Sequence, residues 1–290
     1  MDRGEQKMNK EKVMSYVFLA ISTTTILCVI LICSFLLING FPVIKQLGFR
    51  NFIFNIDWAP TDIPASYGIL PMILGSVVIT IGAIIIGVPI GIMTAIYLAK
   101  YCPKKIYPLL KNTVDLLAGI PSIVFGFFGL VMIVPFVRTV FGYTGKGVLS
   151  ASILLGLMIL PTIICITETS INTVPEFYYE GALALGASHE RAIYSIVLPA
   201  AKRGIFSSVI LGIGRAIGET MAVVMVAGNQ TILPTNILKG ARTLTTNIVI
   251  EMGYATGFHR QTLIATGLIL FIFILLINCT FVYLNRKDNK

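Results

Sequence analysis

Charge is scarce in this chain. Only 12% of its 290 residues are Asp, Glu, Lys or Arg, against 56% hydrophobic, and the mean hydropathy is +0.88. So little charge excludes an ordinary soluble enzyme and points to a polytopic membrane protein, read here as one membrane domain in a lipid bilayer. Histidine is scarcer still, with His189 and His259 alone, too few for a zinc site or a Ser-His-Asp triad. Cys28, Cys33, Cys165 and Cys279 fall in apolar runs and Cys102 in a Lys-rich loop, without CxxC or Cys/His spacing. They read as small buried hydrophobes. A GxxxxGK[ST] phosphate loop is also missing. The one tempting stretch, Gly142-Tyr-Thr-Gly-Lys146, has the wrong spacing. No catalysis, metal or cofactor of its own is therefore expected, and energy for uphill work must come from another subunit or an ion gradient. The net charge of +9 could suggest nucleic acid. The basic residues flank apolar runs, however, which membrane orientation explains better.

Long hydrophobic runs are abundant. They predict an all-α protein with six transmembrane helices at about 14–38, 69–99, 114–137, 148–166, 204–227 and 262–284, after a basic tail over 1–12. The first run is too long for the core of a signal peptide and lacks a cleavage site. Gly87 and Gly91 form a small-xxx-small pair, and Gly126, Gly129, Gly214 and Gly218 are expected to serve close packing. Pro89 reads as a kink, and Pro121 and Pro135 lie inside the third span, where Pro121 frees a backbone carbonyl. Asp115 and Glu168, near span ends, read as solvated interfacial charges. With these spans, one side of the membrane carries fourteen Lys/Arg and the other seven. By the positive-inside rule both termini and the segment 171–203 are expected in the cytoplasm.

The fifth span holds the exception, Arg215 and Glu219. Each ionisable residue in a span costs roughly 2.5–3.5 kcal/mol on insertion scales. Four apart on one helix face, they can pair with each other and steady the bundle. Alternatively they face a polar pathway, where the guanidinium is the better cation for an oxyanion.

Segment 171–203 is polar-flanked and turn-rich. Thr173 and Glu176 have the spacing of a capping box around Pro175, Gly186 should end the helix, and Ser188 could cap a second helix running to Pro199. In that second helix Ala192, Ile193, Ile196 and Val197 share a face that needs a partner to cover it.

The pattern Glu180-x-Ala182, three residues, Gly186, nine residues, Ile196-x-Leu198-Pro199 resembles the "EAA" coupling loop of ABC importer permeases. Gly181 departs, standing where that family usually has Ala. Leu117-Ala-Gly-Ile-Pro-Ser-Ile-Val-Phe-Gly-Phe-Phe-Gly129 and Gly214-Arg-Ala-Ile-Gly-Glu-Thr-Met221 are similar to segments of bacterial phosphate-importer permeases. Tyr67-Gly-Ile-Leu-Pro-Met72 is closer to the PstC type than to its PstA-type partner. The resemblance implies a type I ABC importer permease fold in the bacterial cytoplasmic membrane, paired with a second, PstA-like permease. Two ATPase subunits, holding ATP and magnesium, would grip Glu180, Ala182, Gly186, Ile193, Ile196, Leu198 and Pro199. An extracytoplasmic phosphate-binding protein would dock on loops 39–67 and 229–261. A permease for molybdate or sulfate, an ion-coupled secondary transporter and a membrane scaffold or sensor remain as alternatives.

Overall fold

The computed structural model describes the backbone of residues 2–287 and the side chains of residues 14–280. The basic side chains of the tail over 1–12 and of Arg286, Lys287 and Lys290 lie outside that set. Among the described residues, six helical spans are long and apolar enough to cross a membrane: Met14–Leu47, Leu70–Tyr101, Ser122–Phe141, Val148–Asn172, His189–Gly218 and Gly257–Thr280.

The chain begins with α1 (Asp2–Leu47), a short α2 (Phe49–Phe54) and a two-residue hairpin of β1 (Trp58–Ala59) and β2 (Ser66–Tyr67). The next helix, α3 (Leu70–Ile96), leads through a basic turn to α4 (Tyr107–Gly119), α5 (Ser122–Phe128) and α6 (Val134–Phe141). At the centre stands α7 (Val148–Asn172), packed by α3 on one side, with Leu154 and Ile163 fully buried. Gly87 and Gly91 are where α3 and α7 approach. A Cβ at Gly87 would come within 2.8 Å of the Gly156 carbonyl, and one at Gly91 within 2.8 Å of Ile163. After α7 come α8 (Glu176–Ala184), α9 (His189–Ala192), α10 (Leu198–Gly218), α11 (Met221–Val226), α12 (Leu244–Met252) and α13 (Gly257–Lys287).

Three π-helical turns interrupt the spans, at Tyr97–Tyr101, Gly129–Ile133 and Ile193–Val197. Each is followed two residues later by a proline: Pro103, Pro135 and Pro199. Proline lacks the N–H that would close the preceding α-turn and its ring crowds the carbonyl four residues back, so the turn widens. The second helix of the 171–203 segment therefore does not stop at Pro199. It runs through the widened turn into the fifth span, which begins at His189 rather than 204. The first, fourth and sixth spans also extend beyond the sequence estimates, to Leu47, to Asn172 and back to Gly257.

Two spans are broken outright. Ile120 and Pro121 are both extended (ψ 127° and 141°), so Pro121 starts a new helix rather than kinking an old one. The third span begins at Ser122, and α4 is a separate helix. In the fifth span α10 ends at Gly218, Glu219 is extended (φ −70°, ψ 132°), and α11 restarts at Met221. The short halves beyond the two breaks pack on each other. A Cβ at Gly126 would lie 2.8 Å from Met225 Sδ and 2.9 Å from Ala222 Cα, and one at Gly129 2.9 Å from Val226.

By contrast, α1 stands almost alone. Its residues 14–32 are exposed, and only its later turns, with Gly40, Val43 and Ile44, pack on α13 and the hairpin end of the molecule.

Candidate functional site

At one end of the bundle the 171–203 segment folds as helix, turn, helix. Thr173 does not cap: its hydroxyl donates to the Thr169 carbonyl at the end of α7, and α8 opens directly after Pro175. Gly186 ends α8's final turn in the left-handed region (φ +83°), where a side chain is disfavoured. Its N–H donates to Leu183 O, and that of Ala187 to Ala182 O. Ser188 caps α9 by accepting the Arg191 N–H at 3.3 Å.

The apolar stripe of the second helix is not waiting for a partner. Ala192, Ile193 and Val197 are 0–1% exposed, the latter two against Ile96, Ile171 and Ala201 of their own chain. Ile193 is thus a core residue and leaves the set of candidate contacts. The residue that α8 buries in the same way is Ala182, at 8%. What faces outward is an apolar patch of Phe177, Tyr178, Leu183, Leu185, Tyr194 and Ile196, with Leu185 92% exposed, beside exposed Glu180, Gly186 and Pro199; Leu198 is half-buried. His189 ties this end together. Its Nδ1 shares a 2.6 Å hydrogen bond with the Tyr179 hydroxyl, and Tyr101 meets the ring edge-on at 5.1 Å.

Farther up α10, where Gly212 rests on Ile163 of α7, lies Arg215. Its expected partner is elsewhere. Because the helix breaks at Gly218, Glu219 is not on α10's face. Its Oε1 instead accepts the backbone N–H groups of Thr220 (3.1 Å) and Ala222 (3.3 Å), capping α11. A carboxylate at a helix start is held by those orphan donors and by the helix dipole. Arg215 is exposed on this chain and forms no salt bridge among the described residues. The packing assigned to Gly214 and Gly218 is also absent among the described residues: a Cβ at either would meet nothing within 4 Å. The two glycines nearest Arg215 in sequence therefore present bare backbone with open space beside it.

Two buried polar clusters were not anticipated. Glu168, expected to be solvated, is 2% exposed. It accepts from Lys111 Nζ at 2.9 Å and from the Tyr107 hydroxyl at 2.5 Å, clamping α4 to α7. Burial alone would lower the Lys111 pKa, but its hydrogen bond to Glu168 and the neighbouring Asp115 outweigh this and raise it. Tyr107 is also raised, first by its bond to Glu168. At the opposite end, segment 229–261 is no open loop: α12 packs into the bundle and buries Glu251 at 4% exposure. Glu251 accepts from Arg242 Nη1 (2.6 Å), from the Trp58 indole N–H (3.0 Å) and shares a 2.8 Å bond with His259 Nε2. Segments far apart in sequence supply these groups. The only hint was the presence of isolated charges and the single Trp in apolar surroundings.

Two features of this arrangement stand out. A solvent-facing apolar patch next to a glycine turn suits docking, and a cation without a salt bridge among the described residues sits farther along the span that supplies Tyr194 and Ile196. That is the architecture of a permease subunit. Known proteins agree. Residues 87–288 match the family described as the binding-protein-dependent transport system inner membrane component. The chain is 40% identical over 248 residues to the probable ABC transporter permease protein YqgH of Bacillus subtilis, covering 83% of this chain and 78% of that one. It is 34% identical over 260 residues to the phosphate transport system permease protein PstC of Mesorhizobium japonicum, covering 82% and 79%. A bacterial alginate ABC transporter solved with its pentasaccharide-bound periplasmic protein shares the fold at a TM-score of 0.65 and 16% identity, over 97% of this chain and 98% of that one. The chain belongs to the binding-protein-dependent transport system inner membrane component family and is a permease subunit of an ABC importer, of PstC type.

Proposed function

We propose that this chain forms half of the transmembrane pore of an inorganic phosphate importer in a bacterial cytoplasmic membrane. The observation that carries the proposal is Arg215: a permanently charged, exposed group in a span, flanked by glycines with open space beside them and with no salt bridge among the described residues, while the nearby carboxylate is committed to capping α11. A guanidinium so placed offers a planar fork of donors to an oxyanion and lowers the cost of moving that anion through a low-dielectric region. The relatives named as phosphate transport permeases support phosphate as the substrate class. They favour it over molybdate or sulfate.

The lack of a nucleotide-binding motif supports a scheme in which two partner ATPase subunits hold ATP and magnesium. The lysine and arginine distribution supports a cytoplasmic location for both termini and for α8–α9. In this arrangement the ATPases grip the exposed face of Phe177, Tyr178, Leu183, Leu185, Tyr194 and Ile196 beside Glu180 and Gly186. A second, PstA-like permease completes the pore and covers α1 and the glycine face around Arg215. A phosphate-binding protein docks at the end carrying the β1–β2 hairpin and α12. ATP-driven closure of the ATPase pair then alternates the pore between its two openings.

The test is Arg215→Gln in the reconstituted complex. Expected is loss of phosphate uptake with normal assembly and retained ATPase activity. Uptake at the parental rate would remove Arg215 from the pathway. Phosphate uptake that collapses on adding an uncoupler while ATP is maintained would instead favour an ion-coupled transporter.

A further inference from the structure

The break between α10 and α11 leaves a backbone group in need of a partner. The carbonyl of Glu219 lies past the last turn of α10, and its extended backbone turns it away from α11. Among the described residues no backbone N–H donates to it. An orphan carbonyl in a span is expensive and must find a donor. That donor is Thr245, from a different element: its Oγ1 donates to Glu219 O at 3.1 Å.

Thr245 is itself held firmly. It is 7% exposed, and its hydroxyl is 2.9 Å from that of Thr243. Thr243 and Thr246 form a reciprocal capping box at the start of α12, and the Leu244 N–H donates to Ser76 Oγ on α3 at 3.0 Å. The far end of α12 is fixed by buried Glu251 through Arg242, Trp58 and His259. The hydroxyl that meets the break therefore belongs to a rigid support.

We propose that Thr245 is a positioning residue for transport. By holding the Glu219 carbonyl it fixes the peptide at the break, so that the Glu219 carboxylate stays turned onto the Thr220 and Ala222 N–H groups. Arg215 then remains free for the anion. Without this bond the extended residue is released, and its carboxylate can swing back towards a guanidinium only four residues away in sequence. An internal carboxylate on Arg215 competes with the transported oxyanion for the same donors. This inference rests on Arg215 serving the anion, as proposed above.

The test uses the whole importer complex in proteoliposomes with saturating binding protein, measuring phosphate moved per ATP hydrolysed. Thr245→Val removes the hydroxyl at nearly constant volume. It is expected to lower that ratio by about fivefold, the scale of one net hydrogen bond, while ATPase activity and assembly persist. Thr245→Ser should restore the ratio. In a Glu219→Gln background, where the competing charge is gone, adding Thr245→Val should cause no further fall. Thr262→Val is the control for losing a buried hydroxyl, since that group bonds only within α13, and it should behave as the parent.

A parental ratio in Thr245→Val would overturn the assignment, as would failure of the serine variant. A fall that persists undiminished in the Glu219→Gln background would overturn it too, as would a loss of assembled complex with an unchanged ratio. The underlying pathway is judged separately. If Arg215→Gln still moves phosphate at the parental rate, that reading fails. If Arg215→Gln is inactive and Thr245→Val is normal, only the role of Thr245 fails.

Discussion

Replacing Glu251 by Gln perturbs a cluster that reports on itself. The exchange preserves shape and leaves one carbonyl oxygen for the Trp58 indole, but removes the charge facing Arg242 at 2.6 Å. Side-chain exposures of 5% for Glu251 and 14% for Arg242 make this a largely desolvated pair. Removing one partner of a buried pair costs about 3–5 kcal/mol. Since the amide still accepts one hydrogen bond, the lower end, about 3 kcal/mol, is the expected value. That raises the population of the locally opened state by roughly 10²-fold, at 1.4 kcal/mol per tenfold. Trp58 is the only tryptophan of the chain, it is 7% exposed, and its N–H is bonded to the substituted group. Intrinsic fluorescence of the purified chain in lipid nanodiscs therefore reads the site directly. The Glu251→Gln variant should show red-shifted emission and stronger acrylamide quenching at temperatures where the parental spectrum is unchanged. An identical emission maximum and quenching constant up to global unfolding would show that the cluster does not hold the hairpin to α12.

Two further outcomes follow from glycine contacts. Gly126→Val places side-chain atoms against Ala222 Cα and Met225 Sδ, both already under 3 Å from the first added carbon; overpacking of this kind costs about 1–3 kcal/mol, to be read as a lowered melting temperature of the detergent-solubilised chain, whereas an unchanged value would mean that α5 and α11 are not in close contact. Gly186→Val forces a branched residue to φ +83°, costing on the order of 1–2 kcal/mol in a turn with nothing within 4 Å of its Cβ; pull-down of the ATPase should weaken while membrane insertion is normal, and undiminished capture would remove the turn from the docking surface.

The six spans and the helix–turn–helix were legible because they depend on local signals: hydropathy over some twenty residues, a glycine needing positive φ, and a serine cap. The helix breaks were harder. Pro121 was visible, but whether a proline kinks, widens or ends a span depends on what can satisfy the freed groups. Nothing local distinguishes it from Pro135 or Pro199. Glu219 was misplaced for the same reason. The i,i+4 spacing that pairs it with Arg215 holds only if the helix continues, and Gly218 permits the helix to stop. The face of Ile193 was read correctly as apolar, but its occupant, Ile96 and Ile171, comes from helices distant in sequence. The same holds for Glu168 and Glu251, whose neighbours no pattern along the chain announces. Bare space at Gly214 and Gly218 could not have been told from close packing by residue type alone.

His189–Gly218 is one helical rod with a single widened π-helical turn at Ile193–Val197. The stretch from Ser188 to Arg215 measures about 40 Å at 1.5 Å per residue. In the proposed mechanism a push delivered at the glycine elbow would reach the guanidinium through that widened turn, along backbone that stays helical throughout. On the proposed reading, power stroke and cargo contact would be two ends of a single lever.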